Sequence, residues 1–507
     1  MATPSEKLAQ SLGVLKDLQD QGKVAIRSAE LSRLHRERLV KNGFLQEVMK
    51  GWYIPSKPDE SAGGSTAWYT SFWGFCSSYL KHRFGEDWCL APDQSLLLLV
   101  GARTVPRQLL VRSPKGRNKV TELPYDTSLF DVRASMPPKS NIEETEGLRL
   151  YALPAAFAHC SPGFYKQNPT NARAALSMVT DASAILSILL EGGHSTIAGR
   201  LAGAFRNNGQ GRIADEIMKT MRAADYTVSE NDPFDSEPPI PASTRSISPY
   251  VHRIRLMWFQ MRKEVIKLFP SAPGIPKDTK AYLKQVDDIY ETDAYHSLSI
   301  EGYHVTPELI DHVRSGNWNP AANKDDRDHQ NALAARGYWR AFEAVKKSVT
   351  KVLNGDNPGD IADKDHSDWY REMFAPSVTA GLLRPADLAG YRNSQVYIRH
   401  SKHVPPQYRA VRDIMPVFFD LLREEKEAAV RIVLGHFIFV YIHPYRDGNG
   451  RIGRFLMNLM LAAGGYPWTV IPIARRKEYM AALESASVDQ TIIPFAKFLA
   501  EIVKQNL

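Results

Sequence analysis

The chain of 507 residues is 43% hydrophobic and 24% charged, with a net charge of +8. That composition is ordinary for a globular protein and the length exceeds one core, so roughly two to four domains are expected and a disordered or fibrous chain is not. Cys76, Cys89 and Cys160 have no metal-ligand spacing and cannot all pair, which argues against a disulfide framework and for a reducing compartment. The N-terminus lacks the apolar stretch of a signal peptide, and the apolar run at Phe437–Ile442 is far shorter than the roughly 20 residues that cross a bilayer. A cytoplasmic protein without a membrane partner is expected.

Leu8, Leu12, Leu15 and Leu18 recur at helical spacing and predict a helix over residues 5–20, and Ser28 to Asn42 gives a second helical stretch stopped by Asn42-Gly43. Phe44–Val48 and Trp52–Ile54 flank Met49-Lys50-Gly51 as a hairpin. Helix, helix and hairpin over residues 1–58 outline a winged helix-turn-helix, in which Arg33, His35, Arg36, Arg38, Lys41 and Lys50 would face a DNA backbone. The plain alternative is a solvated basic helix in a small packing domain. Residues 56–66 read as a linker.

Beyond the linker, Ser95–Val100 and Gln108–Val111 look like short strands, and helical stretches follow at about 174–190 and 195–225. Residues 64–228 therefore read as a mixed α/β domain, with no catalytic constellation of their own. A wing-like "KGWYIP" segment followed by a mixed domain resembles the antitoxin half of abortive-infection toxin–antitoxin pairs, in order and texture rather than in a motif. Residues 229–249, rich in Pro, Ser and Asp, predict a linker or an extended arm, and residues 250–507 are predominantly helical by period.

The chemistry concentrates in "HPYRDGNGRIGR", His443 to Arg454. Pro444 disfavours helix at His443, so the preceding helix should stop there, while Gly448 and Gly450 let the backbone turn and approach a ligand. A glycine-rich turn entering a helix N-terminus is an anion site, and Arg451 and Arg454 add planar donors for phosphate oxygens. Asp447 offers one hard oxygen ligand for Mg²⁺, and His443 offers a base near neutrality. The order differs from a P-loop, where lysine follows the last glycine.

This string resembles the Fic signature H-x-F-x-D/E-G-N-G-R-x-x-R, with Tyr445 where phenylalanine is usual. The likeness runs over roughly residues 250–507 and implies an all-α Fic domain at the C-terminus of a multidomain chain. It implies His443 as general base, Asp447 as Mg²⁺ ligand, and Asn449 with the N–H groups of Gly448 and Gly450 around the α-phosphate of ATP. Arg451 and Arg454 would hold the outer phosphates while AMP passes to a Ser, Thr or Tyr hydroxyl of a protein, the chain itself included. In such proteins a flap pairs with the target by strand addition. "YRNSQVYIRHSKHVPP" would supply it, with Val396, Tyr397 and Ile398 in a short hairpin. Arg475, Arg476 and Tyr479 downstream are further candidates to lie near the nucleotide, though no motif places them there.

Upstream, Ser297-Leu298-Ser299-Ile300-Glu301-Gly302 resembles the inhibitory motif S/T-x-x-x-E-G/N of self-restrained Fic proteins. The resemblance places an inhibitory helix near residues 287–302, with Glu301 taking the arginine that the γ-phosphate needs. Two other readings stay open. One is a DNA-binding regulator whose Fic portion senses nucleotide, and the other is a Fic enzyme that uses another nucleotide or removes AMP. Oligomeric state is not legible, and a homodimer is compatible with the sequence.

Overall fold

A computed structural model describes residues 3–58, 65–235, 248–315 and 330–507. They form two compact units, one of Met1–Pro249 with Tyr397–Val404 and one of Tyr250–Val396 with Pro405–Leu507.

The first unit opens with α1 (Pro4–Asp20), started by a capping box between Thr3 and Glu6. β1 (Ile26–Arg27), a 3-10 turn (Ser28–Glu30), α2 (Arg33–Lys41), β2 (Leu45–Met49) and β3 (Trp52–Pro55) follow, in a sheet of order β1-β3-β2. The second helix starts later than expected because the Ser32 side chain accepts the His35 N–H and fixes the first turn there. Alternation along the hairpin splits its two faces. Leu45 and Tyr53 pack with Leu15, Leu18 and Leu39. Val48, Trp52 and Ile54 join the core around Trp68, Phe72 and Phe75. The boundary expected near residue 58 thus falls within one unit.

That larger core is built from α3 (Thr66–Phe84), β4 (Cys89–Leu90), α4 (Pro92–Leu99), β5 (Gln108–Ser113), β6 (Lys119–Leu123) and β7 (Thr127–Arg133), with strand order β4-β5-β7-β6. Ser95–Val100, expected as a strand, lies in and at the end of α4. Pro92 starts that helix, and a run of four leucines carries no period to separate strand from helix. A hairpin of β8 (Ile142–Thr145) and β9 (Leu148–Tyr151) leads to six helices. These are α5 (Leu153–His159), α6 (Phe164–Gln167), α7 (Pro169–Ser177), α8 (Ser183–Gly192), α9 (Ser195–Asn207) and α10 (Gly211–Ala223). The described start of the Pro/Ser/Asp-rich stretch is an arm laid along α9. Asn231 donates its N–H to Gly199 O (3.1 Å), and a Cβ on Gly199 or Gly203 would strike the arm's carbonyls.

The second unit is helical. Its elements are α11 (Pro249–Leu268), α12 (Thr279–Ile300), α13 (Pro307–Arg314), α14 (Gln330–Leu353), α15 (Pro358–Thr379), α16 (Tyr408–Glu424), α17 (Ala428–Ile442), α18 (Asn449–Gly464), α19 (Arg476–Val488) and α20 (Ile493–Asn506). α17 is buried along nearly its whole length, as a helix apolar all round must be. α18 crosses it closely, because a Cβ on Gly453 would meet Val440 and His436. The loop between these two helices is held on a rigid base. Among the described residues, no helix is long and apolar enough to cross a membrane.

Candidate active site

Residues 443–448 join α17 to α18, and side chains rather than ladders shape the turn. His443 caps α17 in the left-handed conformation (φ 54, ψ 59), and Gly448 (φ 77) caps the start of α18. Asn449 staples the loop: its Oδ1 accepts from Tyr445 N–H and its Nδ2 donates to Tyr445 O, both at 2.9 Å. The Tyr445 ring stacks on Tyr370, centroids 4.0 Å apart and 4° from parallel. Its hydroxyl is buried with no hydrogen-bond partner among the described residues. Tyr445→Phe should therefore keep the stack and stabilise the unit by about 1 kcal/mol, read as a higher melting temperature.

His443 is half-buried, and its Nδ1 lies 3.1 Å from Val440 O. A carbonyl only accepts, so Nδ1 carries the proton and Nε2 is left with the lone pair. Burial pulls the imidazole down to about 4, which keeps it neutral near pH 7. Asp447 is exposed. One of its oxygens accepts Gly448 N–H at 2.6 Å, and the other lies 3.6 Å from Arg451 Nη2. Gly448 N–H is thereby committed to Asp447 instead of a ligand, contrary to the expected ring of glycine donors.

In α18 the first intrahelical bond is Ile452 N–H to Gly448 O, so the N–H groups of Asn449, Gly450 and Arg451 head the helix as an anion site. The Arg451 guanidinium is buried between the rings of Tyr303 and Phe374, 5.2 Å from each centroid. Arg454 is bound by α12: Nε donates to Ser297 Oγ (2.9 Å), and Nη2 to Ser297 O (3.0 Å) and Glu301 Oε1 (2.7 Å). Burial pushes the Glu301 carboxyl up, but Arg454 and then Arg451 outweigh it and hold it below its ordinary value. Glu301 Oε1 also lies so near the Gly450 backbone that a Cβ there would collide with it. A carboxylate oxygen thus occupies the helix N-terminus and the Arg454 fork together, as a phosphate oxygen could. Gly302 (φ 93) ends α12 directly after Glu301.

Ser297, Glu301, His443, Asp447 and residues 448–454 all belong to the second unit. The expected flap does not form a hairpin. No residue between 391 and 406 is in a strand; Val396 belongs to the second unit, and Tyr397 and Ile398 to the first. Its backbone is satisfied otherwise: Gln395 Nε2 donates to Val396 O and Pro405 O, Ser401 N–H closes a turn on Ile398 O, and Pro405 and Pro406 have no N–H to offer a ladder.

Three further residues touch this machinery. Arg476 Nε donates to Ile300 O (2.7 Å), closing the C-terminus of α12, and the Tyr479 hydroxyl lies 2.7 Å from His436 Nε2 beside Arg454. Arg475 instead pairs with Glu478 and Glu501. Arg392 binds the His443 carbonyl at 2.8 Å and carries no motif that sequence reading could use.

Residues 365–461 match the family model described as Fic/DOC family. This stretch is a Fic domain. Over 238 residues the chain is 30% identical to "Protein adenylyltransferase Fic" of Drosophila willistoni, covering 46% of this chain and 44% of that protein. It is also 30% identical to the protein of that name in Drosophila virilis, with 46% and 45% covered. The chain thus spans less than half the length of these curated relatives. A solved Fic-1 fragment from C. elegans is 19% identical, covers 67% of this chain and 96% of that one, and superposes with a TM-score of 0.37. The Fic domain's matched stretch contains His443, Asp447 and both signature arginines, whereas Ser297 and Glu301 lie upstream of it.

Proposed function

We propose that the protein is an adenylyltransferase that moves AMP from Mg-ATP to a protein hydroxyl and is restrained by Glu301. The observation that carries this is the Glu301–Arg454 pair at the head of α18, beside a histidine whose Nδ1 is held by Val440 O and whose Nε2 has no hydrogen-bond partner among the described residues. His443 Nε2 takes the proton as the hydroxyl oxygen attacks the α-phosphorus, and pyrophosphate leaves in line. The N–H groups heading α18 and Arg451 stabilise charge on the phosphates, and Arg454 serves the γ-phosphate once Glu301 withdraws. Asn449 acts by shaping the loop.

Asp447 is a lone exposed carboxylate, and among the described residues no group of three His, Cys, Asp or Glu could hold a metal unaided. That fits Mg²⁺, which is content with one carboxylate when phosphates fill its shell. When held by Asp447 and the phosphates, the ion would supply charge neutralisation on the leaving group. The substrate is a protein with a Ser, Thr or Tyr hydroxyl, or this chain. Mass spectrometry of wild type and Glu301→Gly incubated with Mg-ATP tests the reading, since an AMP adduct must appear, and appear faster in the variant.

A second reading, DNA binding by residues 1–58, is supported by the order α1-β1-turn-α2-β2-β3, in which a basic helix leads into a hairpin as it would in a winged helix-turn-helix. Its basic surface is smaller than the sequence suggests. Arg36 donates to Ser28 O, Arg38 to Lys7 O and Ser11 Oγ, and His35 meets Ser11, leaving Arg33, Lys41 and Lys50 outward. Full-length protein on duplex DNA from its own promoter should lose affinity steeply with salt, and Lys41→Glu with Lys50→Glu should flatten that slope by about two phosphate contacts. Binding indifferent to both would end this reading.

A further inference from the structure

Arg392 is 3% exposed, and among the described residues its guanidinium bonds only to main-chain carbonyls. Nε donates to His443 O (2.8 Å), Nη1 to Ser394 O (3.1 Å), and Nη2 to Pro406 O and to Ile442 O (3.5 Å). Its own N–H donates to Pro444 O (2.9 Å). Burial lowers the guanidinium to about 10, and no carboxylate offsets the cost. What the buried charge gains is connection. Ile442 and His443 are the carbonyl end of α17, where a cation is favoured, and Ser394 and Pro406 flank the segment 395–405. One side chain therefore ties the backbone of His443, the base of the AMP-transfer reading, to Ser394 and Pro406. A lysine could not reproduce this, because only a planar fork serves so many acceptors at once.

We infer that Arg392 is a positioning residue for AMP transfer, holding the His443 backbone in one register with Ser394 and Pro406 so that Nε2 stays aimed at the attacking hydroxyl. The inference rests on the AMP-transfer reading above. It makes the Arg392 fork a requirement for the transfer step and not for nucleotide binding.

The test uses full-length protein carrying Glu301→Gly, with Arg392→Ala, Arg392→Gln and Arg392→Lys, and follows self-labelling from α-labelled Mg-ATP. Removing the fork should lower kcat about 100-fold, the scale of a misplacement near 1 Å, with KM for ATP within about threefold. Arg392→Lys should recover only part, and millimolar guanidinium should partly rescue Arg392→Ala. Melting curves for all three variants separate misfolding from misplacement, and the lysine and glutamine variants keep the test open if alanine does not fold. Unchanged kcat in all folded variants, or KM for ATP rising in step with a falling kcat and no guanidinium rescue, would overturn the proposal. If Glu301→Gly alone does not label, or labels equally with His443→Ala added, the AMP-transfer reading fails and the proposal falls with it.

Discussion

Glu301→Gly is expected to raise AMP transfer by about two orders of magnitude at saturating Mg-ATP, because reacting groups misplaced by about 1 Å lose that much rate. In the resting protein Arg454 has its Nε on Ser297 Oγ and its Nη2 on Ser297 O and Glu301, so the fork is spent on α12. The Glu301 oxygen also fills the space beside Gly450 at the head of α18, where a phosphate oxygen would bind. Glycine removes the carboxylate and leaves Ser297, which still accepts from Nε and Nη2 of Arg454, so the guanidinium stays placed while the Glu301 acceptor is exchanged for a phosphate oxygen. Glu301→Gln should give an intermediate gain, since an amide oxygen still accepts from Nη2 but without charge assistance. Labelled AMP incorporation at several ATP concentrations distinguishes better alignment from tighter binding. If neither variant exceeds wild type, Glu301 is a structural partner of Arg454 and not a restraint.

The site was legible where its chemistry is contiguous. His443 to Arg454 form one string whose proline and glycines fix the turn locally, so the geometry follows from twelve adjacent residues. Glu301 lies 153 residues from Arg454, and only the resemblance of Ser297–Gly302 to an inhibitory motif brought them together. The contacts of Arg392 and Arg476 are not legible in the sequence, because their partners are backbone carbonyls, which every residue has. The expected hairpin at 391–406 is absent for the opposite reason. Val396, Tyr397 and Ile398 have strand-forming side chains, but Gln395 Nε2 occupies the carbonyls of Val396 and Pro405, and the two prolines have no N–H to give a ladder. In the first unit the hairpin was readable from its turn, while the sharing of its Trp52 face with α3 depended on packing that no local pattern encodes.

His443→Ala, placed in the Glu301→Gly background where activity is high, should reduce AMP transfer by about 10²–10⁴-fold, the usual contribution of a positioned general base. Magnesium-ATP affinity should be unchanged within a few-fold, since the proposed phosphate donors lie on α18 and in the Arg451 and Arg454 guanidinia. The pH profile gives the same claim a second test. Burial is the main cause that lowers the imidazole to about 4, with Val440 O, Glu301 and Asp447 raising it and Arg392 lowering it further. A histidine with a depressed value loses its proton earlier as pH rises, so the base is ready from about pH 5 upward and is lost only as pH falls toward 4. Removing Glu301 takes away one of the raising charges and should move that limb lower still. Transfer by Glu301→Gly should therefore hold nearly constant between pH 7.5 and about 5.5, where an exposed histidine would already have lost most of its base form. A rate that halves near pH 6.5 would mean that Nε2 is solvated in the working enzyme, and a His443→Ala variant that keeps full transfer would remove the residue from the mechanism.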